Sequence, residues 1–106
     1  MVVEWTELAT SRLRSVYDYY FYVAGRKVAQ NIATNIVKSA DSLSVMPQKA
    51  PVEQSLTGLR FTYRSLLVGK MFKVVYFVDE QADTIVISTI WDCRRNPADL
   101  QREVCE

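Results

Sequence analysis

Histidine is missing from the 106 residues of this chain. That absence removes a His-based catalytic triad and every His-containing metal site. Cysteine is scarce, and Cys93 and Cys105 are spaced unlike any metal-binding pattern. Glycine and proline number three each, so long flexible linkers are not expected. Neither sign of charge is in real excess: 13 Lys and Arg face 12 Asp and Glu, for a net charge of +1. A strongly basic balance would have argued for nucleic acid, so any such case must rest on local clusters. No run of about 18 apolar residues occurs, and no membrane-spanning helix is expected. Met1-Val2-Val3-Glu4-Trp5 has neither the basic lead nor the apolar run of a secretory signal. The expectation is a reduced, cytoplasmic protein with no cofactor, no metal and no membrane partner.

What is present is ordinary globular composition, 49% hydrophobic and 24% charged. The length suits one domain over residues 1–106, with a modest core. Val2 to Trp5 suits a short strand. Thr6 reads as a helix N-cap, and Glu7 places negative charge in the first turn. Leu8, Ala9, Leu13, Val16, Tyr17, Tyr20 and Val23 then recur at helical spacing, predicting a helix over residues 6–23. Ala24-Gly25 is the break. Val28, Ile32, Ile36, Ala40 and Leu43 step along one face of a second helix, closed by Met46-Pro47. So short a break makes the pair an antiparallel hairpin.

Residues 47–58 read as a loop. Strand patterns follow. Leu59, Phe61 and Tyr63 alternate with Arg60, Thr62 and Arg64. Val68-Gly69-Lys70 supplies a turn, Phe72 to Val78 is β-prone, and Asp79 to Asp83 turns the chain again. Thr84 to Trp91 is a nearly continuous apolar run, as in a central buried strand. The order β-α-α-β-β-β predicts an α+β domain, with the helical hairpin packed on a small, mainly antiparallel sheet.

Several residues stand out. Arg60, Thr62 and Arg64 are predicted on the sheet face opposite Leu59, Phe61 and Tyr63, as a basic surface or a solvated one. Arg94 and Arg95 follow the last strand, where loops on a rigid sheet often carry function. Trp91 ends that strand, suited to stacking on a base and, more commonly, to the core. Asp92 can orient an arginine or simply turn the chain. Lys49, Lys70 and Lys73 are positive charges, and only Lys49 precedes the sheet. Tyr17-Asp18-Tyr19-Tyr20-Phe21-Tyr22 is too wide for one buried stripe, so part of it must be exposed or meet a partner.

The segment YRSLLVGKMFKVVYFVDEQADTIVISTIWDCRRNP resembles the RelE/ParE superfamily, toxins of type II toxin–antitoxin systems. The shared pattern is an Arg late in one strand (Arg64), then the turn Val68-Gly69-Lys70. An aromatic and basic strand from Phe72 to Tyr76, the acidic turn Asp79-Glu80, the strand Ile85 to Ile90 and Arg94-Arg95-Asn96-Pro97 complete it. Val3, Trp5, Ala9, Leu13, Val16, Tyr17 and Tyr20 agree with the family's opening strand and helix.

The resemblance implies a small cytosolic toxin neutralised by a cognate antitoxin. One branch poisons DNA gyrase by binding; the other cleaves mRNA on the ribosome. The binding branch is the first expectation, with Arg60, Arg64, Lys70, Lys73, Trp91, Arg94 and Arg95 as target-binding residues. It needs no catalytic group, which suits the missing histidine, the lone loop lysine and the near-neutral charge. The nuclease branch is the alternative, with Arg64 and Arg94 catalytic, and it requires both on one concave surface. A third reading is an inactive relative that only binds its antitoxin. The gyrase branch often has a His before the final Arg, where this chain has Trp91-Asp92-Cys93-Arg94. A homodimer is a further possible assembly.

Overall fold

The computed structural model describes residues 1–105. Strand β1 (Val2–Trp5) leads into helix α1 (Glu7–Ala24) and helix α2 (Arg26–Ser42), followed by a 3-10 turn at Gln54–Leu56. Strands β2 (Tyr63–Val68), β3 (Phe72–Asp79) and β4 (Thr84–Asp92) come next, and helix α3 (Ala98–Val104) closes the chain. The α+β class and the β-α-α-β-β-β order are as expected; α3 was not anticipated.

Each boundary has a local cause. The Thr6 hydroxyl accepts from the Ala9 amide at 3.0 Å and caps α1. The same hydroxyl donates to the Ile87 and Ser88 carbonyls, tying the helix start to β4. Gly25 alone separates the two helices, at φ 91°, a conformation that disfavours any side chain. Gly69 plays the matching part between β2 and β3, at φ 62°.

The sheet order is β1-β4-β3-β2. β2, β3 and β4 pair antiparallel, and β1 joins β4 in parallel. One bulge decides how β4 faces. Val75 pairs with Thr89 but Tyr76 pairs with Ile87, leaving Ser88 as the extra residue. Ile85, Ile87 and Ile90 therefore share the face covered by α1 and α2, in one core with Ala9, Ile36, Ala40, Leu43, Val74 and Tyr76. Thr89 and Trp91 turn to the opposite face. There Trp91 packs with Leu56, Tyr63, Val75 and Leu100.

Two expectations need correction. The predicted strand at Leu59 begins instead at Tyr63, because residues 59–61 bend across the outer sheet face and stack Phe61 on Phe77 at 3.9 Å. Arg60 and Thr62 thus lie outside the strand and form no row with Arg64. Val28 is 41% exposed and sits off the buried stripe of α2. The sheet is mainly antiparallel, as expected, with one parallel pairing at β1.

Candidate functional site

The predicted target-binding residues do not form one surface. Arg64 projects toward the helical side, and its Nη1 donates to the Ala50 carbonyl at 2.7 Å, pinning the loop before the sheet. Lys73 lies on the other face, ion-paired with Glu53 at 3.0 Å. Arg60 is exposed over the Phe61 ring, 5.1 Å from its centroid. Trp91 is only 2% exposed, so the expectation that it meets a target directly is corrected. The bulge at Ser88 turns it into the core.

Glu53 is the hub beside Lys73. Its carboxylate accepts from Ser65 Oγ at 2.6 Å, Ser55 Oγ at 2.8 Å and Lys73 Nζ. Burial pushes its pKa up, but these bonds outweigh burial and hold it at about 2. The arrangement fastens the loop to the sheet.

Arg94, Arg95 and Lys70 lie at one end of the sheet. Val68 pairs with Phe72, and Phe72 with Asp92, so the β2–β3 turn and the end of β4 are neighbours. Here α1 and the β4–α3 turn enclose a cleft of about 400 Å³. Arg12, Ser15, Val16, Tyr19 and Tyr20 come from one stripe of α1; Ile90, Asp92, Arg94 and Arg95 face them. A second cleft shares Arg12 and Arg95 and reaches Glu103 and Arg102 on α3. On the other side, Tyr20 also borders an apolar hollow of about 190 Å³ beside Lys70, Met71 and Ile32.

The guanidiniums are held by two carboxylates. Glu103 Oε1 accepts from Arg12 Nη2 at 2.6 Å and Arg95 Nη1 at 2.9 Å, while Oε2 accepts from Thr89 Oγ1 at 2.6 Å. The Glu103 side chain is 6% exposed. Burial raises its pKa, but the bonds from Thr89, Arg95 and Arg12 prevail and lower it, so it stays charged at neutral pH. Arg95 lies over the Trp91 ring, 4.2 Å from the centroid. Trp91 thus supports Arg95 from the outer-face core.

Arg94 folds back on Asp92 with a forked contact, Nε at 3.0 Å and Nη2 at 2.7 Å. The Arg94 bond lowers the Asp92 pKa against the opposing effect of burial, and Arg94 is raised in turn. Arg12 and Glu103 were missed from the sequence. Glu103 offers no local cue, since its partners lie 8, 14 and 91 residues away. The stripe Arg12, Ser15, Tyr19 was the available signal: polar residues three and four apart on one helix face. Of the aromatic run, Tyr19, Phe21 and Tyr22 are exposed, and Tyr20 packs edge-on against Phe72.

The profile of the family described as "ParE toxin of type II toxin-antitoxin system, parDE" matches residues 3–97. The chain belongs to the ParE toxin family. A chain from the solved "Chromosomal ParDE TA system from P. aeruginosa" has the same fold, with a TM-score of 0.71. It is 22% identical, and the match covers 87% of this chain and 95% of that one. Among curated proteins, none matches. The ParE match takes in Arg12, Asp92, Arg94 and Arg95 but stops before α3. The carboxylate that orders two of the cleft arginines is therefore outside the ParE-matched span. Among the described residues no group of acidic, Cys or His side chains could hold a metal ion, and no helix is long and apolar enough to cross a membrane.

Proposed function

We propose that this ParE-family toxin inhibits growth by binding DNA gyrase, and that a cognate antitoxin neutralises it. The docking surface is the sheet end that carries Arg12, Tyr19, Arg94, Arg95 and Lys70. The observation that supports binding over catalysis is the separation of Arg64 from Arg94. Arg64 lies four residues along β2 from Val68, and Val68 is two strands from Asp92. Strand geometry makes that roughly 13 Å along and about 10 Å across. Each arginine is also engaged locally, Arg64 with the Ala50 carbonyl and Arg94 with Asp92. An mRNA nuclease built on both would need them at one phosphate.

The test runs two assays on the purified toxin: supercoiling by DNA gyrase, and integrity of a translating mRNA. Loss of supercoiling with intact mRNA is the expected result. Codon-phased mRNA cuts with normal supercoiling would overturn the proposal and return Arg64 and Arg94 to catalysis.

A further inference from the structure

We propose that the cleft between α1 and the β4–α3 turn recognises an acidic protein segment, a carboxylate side chain followed closely by an apolar or aromatic one. The proposal deepens the gyrase-docking reading and rests on it only for the identity of the partner.

Donors outnumber free acceptors in this cleft. An arginine guanidinium carries five N–H donors and accepts nothing. Arg12, Arg94 and Arg95 converge on this cleft, yet among the described residues they make only four guanidinium hydrogen bonds. The two carboxylates at hand are already engaged. Glu103 takes Arg12, Arg95 and Thr89, and Asp92 takes Arg94 twice. Arg12 Nε is buried with no partner among the described residues, which is unusual for a buried donor. Ser15 and Tyr19 add hydroxyls at the rim. A site with surplus donors and its acceptors engaged is complementary to an acceptor-rich, negatively charged ligand.

The rest of the lining selects the class. Val16, Ile90 and the rings of Tyr19 and Tyr20 give the cleft apolar surface beside the arginines. An acidic peptide offers both chemistries within a few residues. A nucleic acid strand offers phosphate and base as well, but it binds mainly through many phosphate contacts on a basic surface. This chain's net charge is +1, and Lys73 and Arg64 are tied up elsewhere. The balance favours protein.

The Asp92–Arg94 fork then has a defined part. In the free toxin, Asp92 occupies the place of the incoming carboxylate. Arg94 is 57% exposed at its side chain, so the exchange needs only a local rotation.

Fluorescence anisotropy tests this on the full chain, with a short labelled peptide of alternating glutamate and leucine. A lysine–leucine counterpart and a labelled oligothymidylate serve as comparisons. The glutamate peptide is expected to bind, and R94A to weaken it about tenfold, the scale of one lost charge-assisted bond. D92N frees the fork and should tighten binding by about the same factor, a gain that a purely structural Asp92 would not give. Absence of glutamate-peptide binding, binding unchanged in both variants, or tighter binding of the oligothymidylate lost in R94A would each overturn the proposal. R94E, assayed in parallel on gyrase, separates the two claims. Lost peptide binding with gyrase inhibition intact would support the acidic-ligand assignment while removing this cleft from gyrase docking.

Discussion

Two carboxylates, the partly buried Glu53 and the buried Glu103, do at the residue scale what a larger core would do in a longer chain. Each gathers donors from segments distant in sequence. Removing one partner of such a cluster costs more than the cluster contributes net, because the remaining charges lose their counter-ion. E103A is therefore expected to destabilise the fold by about 2–4 kcal/mol in urea titration. E103Q keeps a partner for Thr89 and should fall between E103A and the native chain.

The pH dependence at Glu53 has a definite sign. Its folded pKa, about 2, lies below the ordinary value of 4.5. The stability it contributes is present above 4.5 and is lost as pH falls toward 2. E53Q should flatten that acid limb, read as urea midpoints across the same pH window. An unchanged acid limb would mean that other carboxylates, among them Glu103 and Asp92, carry the acid transition.

The elements show how much was legible in the sequence and why the rest was not. The helical hairpin was plain, because Thr6 capped it, Gly25 broke it and the apolar spacing was regular. G25A tests the break: nothing lies within 4 Å of the added methyl, so its cost is conformational only. About 1–2 kcal/mol is expected, by thermal or chemical denaturation. β4 was found but its facing was not. A continuous apolar run carries no period, and the bulge at Ser88 that sends Trp91 to the other face leaves no mark in it.

The last helix escaped notice for a different reason. Ala98 to Val104 is only seven residues long, with Leu100 and Val104 as its apolar contacts with the sheet. So short a helix is held by packing and not by propensity. L100A should cost about 2–4 kcal/mol, since Leu100 is 2% exposed in the outer core. The same substitution should loosen Glu103 and, with it, Arg12 and Arg95. The cleft was half legible: Arg94 and Arg95 stood out after the last strand, while Arg12 and Glu103 reach it only through the fold.

For the whole molecule, the fold sorts its charges into two kinds. Arg64, Lys49 and Lys73 fasten the loop between α2 and β2, through Ala50, Ser42 and Glu53. Arg12, Arg94, Arg95 and Lys70 gather where the β2–β3 turn meets the end of β4, beside exposed Tyr19. A small protein of near-neutral charge thus presents one end rich in guanidinium and aromatic groups, the composition favoured in protein interfaces. The central claim is that this end, and not Arg64, meets gyrase. Gyrase supercoiling should be measured with the native toxin, R94E/R95E and R64A, each first shown to be folded by circular dichroism. If this end is the docking surface, R94E/R95E loses inhibition by about a hundredfold or more, the scale of two charge-assisted contacts reversed, while R64A inhibits like the native chain. Full inhibition by R94E/R95E, or loss of inhibition in a folded R64A, would contradict it.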